Sequence, residues 1–74
     1  MASYIKQVNA LAKAWVKDDG DDTFEIDGIE FEFSFSTNSK GDRYEVWADN
    51  ELIGWNDDSK DFLNIGHCVN AYLT

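Results

Sequence analysis

Residues 23–36 read Thr23-Phe24-Glu25-Ile26-Asp27-Gly28-Ile29-Glu30-Phe31-Glu32-Phe33-Ser34-Phe35-Ser36. Apolar and polar side chains alternate strictly on both sides of Asp27-Gly28. A period of two belongs to a strand with one buried face. Asp-Gly between two such runs signals a two-residue type I′ hairpin, because both central residues of that turn take positive φ. The turn sets Ile26 opposite Ile29, Glu25 opposite Glu30 and Phe24 opposite Phe31. Pattern and turn therefore agree on one register, since a one-residue slip would carry every apolar side chain to the wrong face.

Beyond the hairpin, residues 37–42 read as a polar turn. Residues 43–48 and 51–55 read as two further strands joined by a two-residue turn at Asp49-Asn50. That turn is expected to pair Trp47 with Leu52 on one face, and Val46 with Ile53 and Tyr44 with Trp55 on the other. Upstream, Tyr4, Ile5, Val8, Leu11, Ala12, Trp15 and Val16 recur at three- and four-residue spacing, which predicts an amphipathic helix over residues 3–17. Ser3 is its expected N-cap and Gly20 its expected left-handed stop. Lys13 and Lys17 suit the negative end of its dipole. Downstream, Asn56-Asp57-Asp58 reads as a loop and helix cap. Phe62, Ile65, Val69 and Tyr72 then form a second amphipathic face, with Asp57, Asp58 and Asp61 at the positive end. Gly66 costs about 1 kcal/mol inside a helix, so a close helix–sheet contact is its expected compensation.

The order α-β-β-β-β-α predicts an α+β fold in one domain over residues 1–74. Its simplest form is a four-stranded antiparallel meander with two helices packed on one face. The other face then meets water or a partner. A hydrophobic content of 43% with 15% aromatics supports a folded core despite the acidity, because disordered acidic tails are poor in aromatics.

The chain has 15 acids and 6 bases, a net −9. The charge is unevenly placed. Residues 1–17 carry three lysines and no acid, residues 18–61 carry all 15 acids against three bases, and residues 62–74 carry no formal charge. The middle segment is thus −12. A field of this sign excludes direct binding to nucleic acid or to an anionic membrane surface. The hairpin register turns Thr23, Glu25, Glu30 and Glu32 outward. Carboxylates two apart on a strand repeat about every 6.7 Å. With Asp21, Asp22, Asp27, Glu45, Asp49 and Glu51 added, the expectation is a broad anionic surface, with Trp47 and Leu52 exposed within it as an apolar anchor. Two readings stand for this face. It is a solubilising surface, with Trp47 covered by a loop or by a second copy of the chain, or it is the docking face for a basic partner.

No catalytic constellation emerges. His67 and Cys68 are adjacent, and neighbours on a helix do not face one another. Cys68 is expected to be a packed thiol on the apolar side of its helix. A single cysteine excludes an internal disulfide and points to a reducing cytoplasm. Lys6 and Lys13 break up any leader-like apolar run, and no run approaches the ~18 residues of a membrane span. Asp18-Asp19-Gly20-Asp21-Asp22 does not match a calcium loop, because Gly20 falls too early. Zinc ligation, phosphate loops and dinucleotide fingerprints are likewise unsupported, so no cofactor and no metal is expected.

In size, in its −12 segment and in its lack of catalytic machinery, the chain resembles small acidic phage-encoded inhibitors, including DNA mimics that block restriction or CRISPR effectors. No motif carries this resemblance, and no individual residue role is transferred by it. It implies a non-enzymatic protein that covers a basic, nucleic-acid-binding surface of a partner. An immunity protein or antitoxin covering a basic toxin would use the same physics. A homodimeric assembly module would instead use the sheet face to pair with itself.

Overall fold

The computed structural model describes residues 4–38, 41–57 and 62–74. Ser3, residues 39–40 of the expected 37–42 turn, Asp58 and Asp61 lie outside the described residues. The elements follow in the order α1 (Ile5–Lys17), β1 (Thr23–Ile26), β2 (Ile29–Asn38), β3 (Gly41–Ala48), β4 (Glu51–Asn56) and α2 (Leu63–Leu73). The four strands form one antiparallel sheet in sequence order. Both helices lie on one side of it, as the alternation of the strands requires.

The β1–β2 register is the one the sequence specifies, with Ile26 opposite Ile29, Glu25 opposite Glu30 and Phe24 opposite Phe31. Asp27 (φ 54°) and Gly28 (φ 79°) both take the positive φ of a type I′ turn, and so do Asp49 (φ 52°) and Asn50 (φ 63°). The second hairpin, β2–β3, is longer than its polar composition suggests. Thr37 pairs with Asp42 and Asn38 with Gly41, so residues expected in a turn extend the ladder.

The β3–β4 pairing departs from simple alternation. Trp47 does face Leu52, but a bulge follows, and Val46 faces Gly54 rather than Ile53. Beyond it Tyr44 faces Asn56, and Glu45 faces Trp55. The extra residue is Ile53, which is half-buried against the core. The physical reason lies in α2. A Cβ on Gly54 would stand 2.5 Å from both Cβ and Sγ of Cys68, so only glycine fits beneath that turn of the helix. The shift brings Gly54 there and sends Trp55 to the opposite face.

The core sits between sheet and helices. Val8 and Ala12 from α1, Phe31, Phe33, Val46 and Ala48 from the sheet, and Phe62, Ile65 and Val69 around α2 are all buried. Aromatic rings link the layers. Trp15 stacks on Phe33 at 5.2 Å, and Tyr44 meets Phe62 edge-on at 5.4 Å. Gly66 does close a tight contact, but with α1 rather than with the sheet. Its Cβ would meet the Ile5 carbonyl oxygen at 2.8 Å. At the end of α1, Asp19 rather than Gly20 takes the left-handed conformation, with φ 54°. Gly20 is instead close-packed there, since a Cβ would stand 3.2 Å from the Ala14 carbonyl oxygen.

Candidate functional site

The sheet face turned away from the helices is built by the outward residues of all four strands. The register lays them in rows. Thr23, Glu32, Trp47 and Leu52 form one row across the sheet, and Ser34, Glu45 and Trp55 form the next. Glu25 and Glu30 form a pair beside the first hairpin turn. A two-residue loop makes Ile26 and Ile29 its hydrogen-bonded pair, so Glu25 and Glu30 fall in the adjoining non-hydrogen-bonded site, where Cα atoms approach to about 4.5 Å. Like charges so placed repel. The face is therefore divided, with carboxylates over β1 and β2 and aromatic and apolar side chains over β3 and β4.

Glu45 corrects the expectation of an exposed carboxylate. It lies on this face but is only 6% exposed. Arg43 donates to its Oε2 from Nε at 2.9 Å and from a terminal guanidinium nitrogen at 2.6 Å. Trp47 donates from Nε1 to Oε1 at 3.2 Å. The Arg43 guanidinium lies over the Trp55 ring, 4.8 Å from its centroid, within cation–π range. All four side chains come from alternate positions on two paired strands, so the sheet itself assembles the cluster. Its net charge is zero, and it takes Glu45 out of the anionic surface.

Trp47 and Leu52 are half-buried rather than fully exposed. The tryptophan that stands out is Trp55, 44% exposed. Alternation alone places Trp55 in the core, and only the bulge reveals otherwise. The signal available in the sequence was Gly54, a glycine inside a strand pattern, which marks a bulge or a close backbone approach.

The remaining acids divide between this face and the helix layer. Glu25, Glu30 and Glu32 are exposed and make no ion pair among the described residues. Asp21 and Asp22 are exposed at the entry to β1, and the Asp22 carbonyl accepts from the Phe33 N–H at 2.7 Å. Asp27 and Asp49 instead serve the helices. The Tyr4 hydroxyl donates to Asp27 Oδ2 and the Tyr72 hydroxyl to Asp49 Oδ2, each at 2.9 Å. These bonds hold both phenols above the ordinary tyrosine pKa, because ionising the phenol would lose the donor and set an anion beside a carboxylate. Glu51 pairs with Ala48, a helix-side position in the register. The anionic surface is thus narrower than the sequence alone suggests.

Between the two hairpins, at the end of the sheet that carries both type I′ turns, the face holds an open groove of about 310 Å³. Glu30, Glu32 and Thr23 line it from one side, and Trp47, Asp49 and Asn50 from the other. Among the described residues, no three His, Cys, Asp or Glu side chains come together in a metal-binding group. His67 is exposed, and Cys68 is a half-buried free thiol. Among the described residues, no helix is long and apolar enough to cross a membrane. Compared with family models, with curated proteins and with solved structures, the chain finds no match.

Proposed function

We propose that the protein is a non-catalytic binding protein whose outer sheet face docks on a basic surface of a partner protein and blocks it. The observation that carries this reading is the row of exposed carboxylates Glu25, Glu30 and Glu32, without ion pairs among the described residues, on a sheet face that neither helix covers. Beside them Trp47, Leu52 and the exposed Trp55 supply apolar contact area, the combination from which interface anchors are made. A basic surface evolved to hold a line of phosphates is the best complement to such a row. The protein would then act as a phage-type inhibitor or DNA mimic, for example against a restriction or CRISPR effector. Its setting would be a reducing cytoplasm, where the lone Cys68 stays a thiol. A two-fold dimer through the same face would bring two surfaces of like net charge together, so charge favours a basic partner over self-association.

The test is charge reversal. The triple variant Glu25→Lys, Glu30→Lys, Glu32→Lys places its changes on exposed positions and is expected to keep the far-ultraviolet circular dichroism of the parent. It should fail to retain the partner that the parent captures at low salt and releases at high salt. It should also fail to displace duplex DNA from that partner. Equal retention by parent and triple variant would refute the proposal.

A further inference from the structure

We infer that the groove beside Trp47 is the seat for an arginine side chain of the basic partner, an inference that rests on the docking reading above. The same sheet face already holds one guanidinium, that of Arg43. A carboxylate takes its N–H groups and a tryptophan ring lies under its plane, with Glu45 accepting and Trp55 stacking. The groove repeats these parts one row along the sheet. Trp47 is one wall, Glu32 stands directly across from it in the register, and Glu30 closes the end by the two turns, where Asp49 lines the groove while its Oδ2 accepts from the Tyr72 hydroxyl. Thr23 and Asn50 complete the polar part of its lining.

Carboxylates alone would accept any cation, and the other parts of the groove make the choice. An arginine presents five donors in a planar fork, so it can serve carboxylates on two sides while its flat face lies on an indole. A lysine ammonium is a compact, strongly hydrated point charge and gains less from a flat aromatic wall. The Trp47 Nε1–H is already committed to Glu45. That bond holds the indole in place beside the groove before any partner arrives, so little side-chain entropy is lost on docking. The volume of about 310 Å³ admits one long side chain and is open enough for it to enter from a partner's surface.

The probes are hexa-arginine and hexa-lysine, titrated into the intact protein at low ionic strength and followed by the indole N–H resonances of the three tryptophans. Hexa-arginine is expected to bind about fivefold more tightly than hexa-lysine, the ratio an exposed cation–π contact supplies, and to shift the Trp47 indole signal. Trp47→Leu should abolish the preference while leaving weaker binding of both peptides. Because Trp47 is half-buried, the double variant Glu30→Gln, Glu32→Gln provides a second test that leaves the indole in place, and it too should lose the preference. Equal affinity for both peptides with an unmoved Trp47 signal would overturn the arginine seat. If that equal binding still disappears in the charge-reversed triple variant, docking on basic surfaces survives. Binding of neither peptide to the parent would overturn the seat and the docking reading together.

Discussion

Gly66→Ala sets local propensity against tertiary packing, and the two predict opposite signs. Gly66 is in the interior of α2, where alanine is more favourable by about 1 kcal/mol. Propensity alone therefore makes the variant more stable. The structure places the new Cβ 2.8 Å from the Ile5 carbonyl oxygen and 3.2 Å from the Ile5 Cα. Both are backbone atoms of α1 and cannot rotate aside, so the helices must separate at their closest approach. Val8, Ile65 and Val69, fully buried in the core the two helices share, would lose contact as they do. Overpacking of this kind costs about 1–3 kcal/mol. Set against the propensity gain, the expected net loss is about 1 kcal/mol and no more than about 2. In a domain of this size that lowers Tm by roughly 4–15 °C. Urea unfolding followed by tryptophan fluorescence, with thermal circular dichroism alongside, measures both quantities. The urea midpoint should fall with an unchanged m value, since the surface exposed on unfolding is the same. A variant stabilised by about 1 kcal/mol would show that α1 does not rest on Gly66, and would refute the packing argument.

Other outcomes follow from the same structure. Gly54→Ala should destabilise by about 1–3 kcal/mol or more, since its Cβ meets Cys68 at 2.5 Å; a neutral result by urea titration would place α2 farther from β4. Glu45→Ala should cost about 1–3 kcal/mol, because the Arg43 guanidinium and the Trp47 Nε1–H lose their shared acceptor; an unchanged urea midpoint would show the cluster to be ornamental to folding. Tyr4 and Tyr72 should ionise above free tyrosine when phenolate absorbance is followed against pH. Their folded-state pKa values are raised, so the stabilisation is fully present below the unfolded phenol pKa and is lost as pH rises through the folded one. Asp27→Asn should bring the Tyr4 titration down and Asp49→Asn that of Tyr72; titrations unmoved by these changes would contradict the hydrogen bonds.

The hairpin from Thr23 to Asn38 shows how far local pattern reaches. Strict alternation and Asp27-Gly28 act on the same few residues, so register, turn type and outward face can all be read from consecutive positions. The pairing of Trp47 with Leu52 was legible for the same reason, since it lies within two residues of the Asp49-Asn50 turn. Past that point simple alternation breaks at Ile53. A bulge needs no unusual residue at the bulged position itself, and its cause here is a helix turn some fifteen residues downstream in the chain. The burial of Glu45 is hidden from local pattern for a related reason. Its burial depends on Arg43 and Trp47 reaching it along β3 and on Trp55 arriving beside it from β4.

Local sequence pattern specifies the α+β order, the meander, the type I′ turn at Asp27-Gly28, a two-residue turn at Asp49-Asn50 and the presence of carboxylates on one side of the first hairpin. These follow from periodicity and turn chemistry, which are local and repeat within a few residues. Contacts between elements settle which tryptophan stands exposed, which acid is neutralised, and that Asp27 and Asp49 bond to Tyr4 and Tyr72. Each of these depends on distances between elements far apart in the chain, and above all on the closeness of Gly54 to Cys68, where the absence of one Cβ lets the helix come down on the sheet and turns Trp55 out beside Arg43.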